Sequence, residues 1–139
     1  MPRGPLASTC TPKDTRKEAD TLSHEIIGAA LEVHRTLGAG LLESAYEECL
    51  AQELTARRLS FERQKALPLT SKGIRLNCGY RLDLLVENLV ILEIKAVEQV
   101  LPIHGAQLLT YLRIPGIWLG LLLNFSSPIL RHGIRRRVN

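Results

Sequence analysis

The sequence predicts an α/β domain with two leading helices, a mixed sheet of four to five strands and a crossover helix. Apolar residues recur at helical spacing between positions 22 and 54, and again after Pro102. The segments in 61–97 and after position 117 are instead short, apolar and bounded by turn residues, which is typical of strands. At 139 residues the chain fits one domain with a sizeable core.

The first 20 residues mix Pro, Gly, Ser, Thr and charges without periodicity. We expect residues 1–20 to be a disordered tail and residues 21–139 to form the domain. This tail has no continuous apolar stretch of the secretory type. The longest apolar run, Ile114 to Leu123, falls short of the ~20 residues of a membrane-spanning helix and is interrupted by Pro and Gly. We therefore expect a cytoplasmic protein.

Cysteine usage and charge narrow the functional classes. Cys10, Cys49 and Cys78 lie far apart and form no CxxC pair, so we expect reduced thiols and neither a disulfide framework nor a zinc site. The net charge of +4 and the pI near 9.2 favour a polyanionic partner, though only modestly when taken alone. One Trp, three Tyr and two Phe offer no obvious base-stacking platform.

The first helix is expected from Leu22 to the residue before Gly38, with Thr21 or Ser23 as its cap. His34 falls on or beside the packed face of this helix. Two interpretations stay open for it: a hydrogen-bonded structural histidine or a catalytic one.

The second helix is expected to begin after Gly40, and Glu43 falls within its apolar arc, whereas Glu47 lies at the edge of that arc. A carboxylate on a buried stripe is explained by a nearby metal-bound water or an arginine. Alternatively, Glu43 is an exposed first-turn glutamate that the helix dipole favours. The apolar arc comprises Leu42, Tyr46, Cys49, Leu50 and Leu54.

The stretch from Tyr80 to Val97 contains the least expected charges of the chain. Asp83, Glu93 and Lys95 interrupt two strongly apolar segments. On a strand, Glu93 and Lys95 point to the same face, and burying an unpaired charge there costs several kcal/mol. Two carboxylates and one ammonium are suited to a divalent cation beside a phosphate.

The turn between these two strands decides whether the carboxylates meet. A two-residue turn at Glu87 and Asn88 sends Asp83 and Glu93 to opposite faces, whereas an odd loop places them opposite each other on one face. Like charges that face each other are destabilising unless a cation lies between them. We predict an odd loop or a bulge.

The last third of the chain predicts a helix from Pro102 to about Arg113 and then one or two strands. If the strand of Lys95 and the strand starting at Ile117 are neighbours, they run parallel with a right-handed crossover. His104, Gln107 and Tyr111 form a polar line on the helix, which is either functional or a partly exposed face.

Two segments are predicted to be edge strands of the sheet. Pro68 breaks the first strand-like segment, which favours an edge position. The final strand, from Leu130 to Val138, concentrates four arginines, which is more typical of a solvated edge than of a binding patch. These arginines are Arg131, Arg135, Arg136 and Arg137.

Gly40, Glu43 and Tyr46 spell GxxExxY, and the text around them resembles the small bacterial family named after that motif. Its members resemble the PD-(D/E)XK nuclease superfamily, which implies a restriction-endonuclease-like core. The resemblance covers roughly residues 22–138. It departs from the family at Ala39, where proline is usual, and at Leu82, which replaces the proline before the aspartate. The ExK triplet of Glu93 and Lys95 is by itself weak evidence for the superfamily. The full set of matching residues in the expected order is strong evidence: Glu43, Asp83, Glu93, Lys95, Gln107 and Tyr111.

The resemblance implies a metal-dependent nuclease that hydrolyses phosphodiester bonds, on DNA in preference to RNA. It assigns Asp83, Glu93 and the backbone carbonyl of Ile94 to Mg²⁺ or Mn²⁺, and Glu43 to the metal through water. The catalytic set that it implies is Lys95, Glu43, Gln107 and Tyr111.

Two alternative interpretations of the charged residues stay open. One is a catalytically silent module that binds nucleic acid or a partner, and the other is a purely structural internal ion pair. The oligomeric state also stays open, and a homodimer is one possibility because the catalytic core is small.

Overall fold

The computed structural model describes residues 12–139, with side chains from residue 15 onward. Within that range the helices are α1 (Pro12–Leu37), α2 (Glu43–Ala56) and α3 (Pro102–Arg113). The strands are β1 (Phe61–Ala66), β2 (Leu69–Ser71), β3 (Ile74–Leu76), β4 (Arg81–Val86), β5 (Val90–Lys95), β6 (Leu119–Asn124) and β7 (Ile134–Val138). A short 3₁₀ helix, Leu130–Gly133, precedes β7.

The central sheet has five strands in the order β1-β4-β5-β6-β7. Strands β5 and β6 are parallel neighbours joined through α3, and the other pairs are antiparallel. This confirms the predicted mixed sheet with its crossover helix. Strands β2 and β3 form a separate two-stranded hairpin.

Helices cover both faces of the sheet and create two apolar clusters. The larger cluster joins α1 and α2 to one face, where Leu84, Leu92 and Leu121 are fully buried. The smaller cluster joins α3 to the opposite face. Strand β6 is buried along its whole length, because both faces are covered. Gly120 permits the close approach of α3, since an added Cβ would lie 2.9 Å from Leu108 Cδ1.

Helix α1 is longer than the sequence indicated. It begins at Pro12, so residues 12–20 belong to a helix and not to a disordered tail; residues 1–11 lie outside the described part of the chain. Ala19 is buried, and the Asp20 carboxylate pairs with Arg136 at 2.8 Å. Thr21 and Ser23 are interior positions of this helix, so their predicted capping role is wrong.

The strand boundaries differ from the predicted ones where turns replace pairing. The last predicted strand begins later than Leu130, because Leu130–Gly133 is a 3₁₀ turn before β7, and β4 begins at Arg81. Strands β1 and β7 lie at the two edges of the sheet, as predicted. The residues just after Pro68 do not continue β1 but open the β2–β3 hairpin.

Two cysteines lie in the described part of the chain, and both are free thiols. Cys49 is half-buried and Cys78 is exposed, whereas Cys10 lies outside the described residues. No helix within residues 12–139 combines the length and apolar character that crossing a membrane requires.

The turn between α1 and α2 is held by Tyr46. Its Oη donates a hydrogen bond to the Gly38 carbonyl at 2.6 Å and accepts one from the Leu41 N–H at 3.1 Å. Its ring stacks on Phe125, with centroids 4.7 Å apart and planes 10° apart. Gly40, with φ of 103°, supplies a backbone conformation that a side chain would strain. Tyr46 therefore fixes where α2, and with it Glu43, begins.

We expect Tyr46→Phe to lower the free energy of unfolding by about 1–2 kcal/mol, because the carbonyl of Gly38 loses its buried partner. Urea titration followed by circular dichroism measures this. The matched control is Tyr80→Phe, which removes a hydroxyl from a ring that is 44% exposed and should leave the midpoint unchanged. Equal effects of the two substitutions would contradict this role of Tyr46.

Candidate active site

The loop between β4 and β5 has three residues. Val86 pairs with Val90, and the Leu89 N–H donates to the Val86 carbonyl at 2.9 Å. Glu87 and Asn88 both adopt left-handed conformations, with φ of 52° and 56°. The predicted odd loop is thus confirmed.

This register places the two carboxylates on one face. Leu84 pairs with Leu92, and one further step along the same register sets Asp83 opposite Glu93. Both then lie on the face that α3 covers, as do Leu85 and Ile91. The condition for a shared cation is therefore met.

Backbone pairing opens around Asp83. The β4–β5 ladder ends at Leu84, and the next available amide of β5, the Ile94 N–H, donates to Asp83 Oδ2 at 2.8 Å. On the other side, the β1–β4 register contains no pair between Gln64 and Asp83, and Gln64 has a left-handed φ of 50°. The carboxylate of Asp83 thus takes the place of a backbone carbonyl as the acceptor for the Ile94 N–H, and this hydrogen bond fixes the orientation of the carboxylate.

Glu93 is a buried carboxylate of the site whose hydrogen bonding is incomplete. Its side chain is 6% exposed, and its Oε1 atom has no hydrogen-bond partner among the described residues. Burial, and secondarily the charge of Asp83, raises the pKa of Glu93 to about 8, although Lys95 and the Asp83 backbone N–H oppose the rise. Without a cation, this group is therefore mainly protonated at neutral pH.

Burial also raises the pKa of Asp83, against the hydrogen bond from the Ile94 N–H. Two adjacent carboxylates with raised pKa values and an unpaired oxygen form a donor set that fits a hard divalent cation, which prefers oxygen ligands. A cation at this position would favour the ionised form of both groups.

Lys95 follows on the same face of β5 and is half-buried. Among the described residues it forms no salt bridge with either carboxylate. The reading of these charges as an internal ion pair therefore has no contact to support it. Its charge still lowers the pKa of both carboxylates, so the ammonium lies within their electrostatic field without a direct contact.

Glu43 is the first residue of α2 and is exposed, in agreement with the dipole-favoured interpretation. Its Oε2 nevertheless accepts a hydrogen bond from the Ala96 N–H at 3.3 Å, so it reaches the end of β5. The described residues contain no group of three or more His, Cys, Asp or Glu side chains that could hold a metal. Its contact with a metal through water stays a prediction.

Gln107 and Tyr111 meet on α3, where Gln107 Nε2 donates to Tyr111 Oη at 3.0 Å. Tyr111 is buried, so the partly exposed alternative is wrong for this residue. Its pKa is raised by burial and then by the charge of Glu93, which brings the phenol into the electrostatic field of the carboxylates. His104 has a separate role, because its Nδ1 accepts the Leu101 N–H at the start of the helix.

A family model of the PD-(D/E)XK nuclease superfamily matches residues 20–137. The chain belongs to this superfamily. Its three helices and mixed five-stranded sheet agree with the expected restriction-endonuclease-like core. The narrower GxxExxY family stays a prediction. Neither curated proteins nor solved structures gave a significant match.

Glu47 is a residue of this PD-(D/E)XK site that the sequence reasoning left without a role. It is 8% exposed, and its carboxylate binds Arg63 at 3.0 Å and Gln64 at 2.8 Å. Its charge contributes to the raised pKa of Asp83. The only signal in the sequence was its spacing of four residues after Glu43, which puts both on one side of α2.

Asn124 was also missed. It is 2% exposed and pairs in register with Lys95 at the end of β6. Its side chain accepts the Val97 N–H at 3.0 Å and donates to the Val97 carbonyl at 2.9 Å, so it fixes the chain as it leaves β5. No pattern marked it. His34 has the structural role, since its Nε2 contacts the Ser127 carbonyl at 2.9 Å.

The raised pKa of Glu93 predicts an unusual pH dependence in the presence of a chelator. The folded state keeps the proton up to about pH 8, whereas the unfolded chain releases it near 4.5, so stability falls as pH rises through that window. The slope is at most about 1.4 kcal/mol per pH unit. Urea titrations from pH 5 to 9 measure it.

We expect Glu93→Gln to flatten this dependence and to be the more stable protein at pH 8, since the amide carries no charge. Glu18→Gln, on an exposed α1 residue, should keep the parent's slope. A parent protein whose stability does not fall between pH 5 and 8 would contradict the assignment.

Proposed function

We propose that this chain is a Mg²⁺- or Mn²⁺-dependent phosphodiesterase that hydrolyses nucleic acid, with DNA preferred over RNA. One observation supports this best. Asp83 and Glu93 face each other from adjacent strands, and Glu93 Oε1 has no hydrogen-bond partner among the described residues. Lys95 lies in the electrostatic field of both carboxylates but forms no direct salt bridge with either of them. Without a cation this arrangement is only destabilising.

Asp83 and Glu93 would hold the ion together with the carbonyl of Ile94, and Glu43 would bind it through water. A bound divalent cation supplies Lewis-acid polarisation of a phosphoryl oxygen and lowers the pKa of a coordinated water. Asp83 is already fixed for this role by the Ile94 N–H, so little reorganisation is needed.

Lys95 would orient the attacking water, help to remove its proton, and stabilise the charge that develops on the phosphate. Its ammonium forms no direct salt bridge with Asp83 or Glu93, so no contact ion pair has to break before it binds an anion. Gln107 and Tyr111, which already form a hydrogen bond, would orient the phosphate or the lysine.

Activity on labelled single- and double-stranded DNA and RNA, with Mg²⁺ or Mn²⁺, tests the proposal. We expect Lys95→Ala to lower the cleavage rate at least 100-fold while the fold is kept, because the substitution removes the ammonium group that would stabilise charge on the phosphate. Lys17→Ala, an exposed lysine of α1, is the matched control and should cleave as the parent does. Equal activity of parent and Lys95→Ala would mean a contaminant or another site.

Binding without turnover by the parent, under the same conditions, would point instead to a silent module that binds nucleic acid.

Metal affinity should rise with pH. Because Glu93 must lose its proton before it can bind the ion, the apparent Mn²⁺ affinity should increase up to tenfold per pH unit below about pH 8. Isothermal titration at pH 6, 7 and 8 measures this, and Glu93→Gln should abolish the binding. Affinity that does not change with pH would exclude Glu93 as a ligand.

A further inference from the structure

Charge is strongly segregated along the chain. No Asp or Glu occurs in residues 64–82, whereas this stretch contains Lys65, Lys72, Arg75 and Arg81. Lys65 pairs with Glu62 in β1, but Lys72 and Arg75 have no ion pair among the described residues. Several other cations do have carboxylate partners within the domain: Arg35, Arg57, Arg63 and Arg136.

Lys72 and Arg75 lie on the β2–β3 hairpin, which is well formed but buries little. Ser71 pairs with Ile74 across a two-residue turn in which Lys72 and Gly73 both have positive φ, 50° and 77°. All three residues of β3 are exposed, and Ile74, at 63%, belongs to neither apolar cluster. A two-stranded hairpin that buries so little gains little stability from the domain, and its exposed side chains are accessible to a partner.

The hairpin starts at the site. It extends the β1–β4 pair beyond Ala66 and Arg81, and Arg81 is two residues before Asp83. At about 3.3 Å per residue, the turn at Lys72 lies at most about 20 Å beyond Ala66. Between the hairpin and β4, the ring centroid of Tyr80 lies 6.1 Å from that of Tyr111, so the chain that leaves the hairpin passes beside α3.

We propose that the β2–β3 hairpin is an arm that grips the nucleic-acid substrate beside the scissile phosphate. Lys72 and Arg75 would contact backbone phosphates, and Ile74 would pack on sugar or base between them. This inference rests on the proposed function, because it assumes that the substrate is a nucleic acid.

Charge decides between nucleic acid and a second copy of the chain as the occupant. Self-association through the hairpin would bring Lys72 and Arg75 of two copies together, with no carboxylate in residues 64–82 to compensate them. A polyanion neutralises the same cations and releases its own counter-ions.

Anisotropy of a labelled 20-mer, as duplex and as single strand, tests the arm in the presence of a chelator between 50 and 200 mM salt. For Lys72→Ala/Arg75→Ala we expect at least tenfold weaker binding and a salt slope smaller by about 2, because two phosphate contacts are lost. Lys17→Ala/Arg35→Ala removes the same charge from α1 and should change affinity less than twofold. Ile74→Ala should weaken binding with no change in the salt slope.

Alkylation of Cys78 gives a readout independent of charge. Cys78 is exposed shortly after the hairpin, so bound nucleic acid should slow its reaction with a maleimide, measured by peptide mass spectrometry.

If the parent binds nucleic acid and the hairpin variant binds it as tightly as the α1 control does, the hairpin is not a substrate-binding arm. The proposed function would be unaffected by that result. Absence of any binding or cleavage by the parent would overturn both. A parent dimer that the hairpin substitutions dissociate, without a change in nucleic-acid affinity, would show that a second copy occupies the arm.

Discussion

The structure depends on two carboxylates that face each other across adjacent strands. Glu93 is buried and Asp83 half-buried on one face of the sheet, and their mutual repulsion adds to the cost of removing each from water. The protein retains this arrangement and partly compensates it with the Ile94 N–H and the nearby Lys95. Such a local cost is typical of a site that is completed by a ligand, since the ligand then contributes its binding energy to the folded state.

The surrounding fold fixes this pair from both sides of the sheet. Helix α3 brings Tyr111 into the field of Glu93, and its close packing on β6 depends on the missing side chain at Gly120. On the opposite face, Tyr46 holds the start of α2, from which Glu43 reaches the end of β5. Asn124 fixes the chain as it leaves β5. The site is therefore supported by regular elements and not by long loops, which favours precise geometry.

Charge is divided between stabilisation and recognition. Most of the described carboxylates of α1 and α2 pair with arginines of the domain, as Glu47 does with Arg63. Lys72 and Arg75 of the hairpin form no ion pair with any described residue. A surface of this kind adds little to stability and leaves positive potential beside the site, which under the proposed function would attract an anionic substrate.

The sequence by itself determined the order of elements and the strands that contain the charges, because these depend on local periodicity. The odd length of the loop between Asp83 and Glu93 was a prediction from the repulsion of facing carboxylates, and the register in the structure confirms it. Only the tertiary structure decided that α1 extends back to Pro12, because the polar first turns of that helix are held by distant partners: Arg136 pairs with Asp20, and the guanidinium of Arg16 lies over Trp118. It likewise decided that Glu47 and Asn124 are buried, and that Lys72 and Arg75 have no ion pair within the described part of the chain. Those properties arise where elements far apart in sequence meet, and no local pattern contains them.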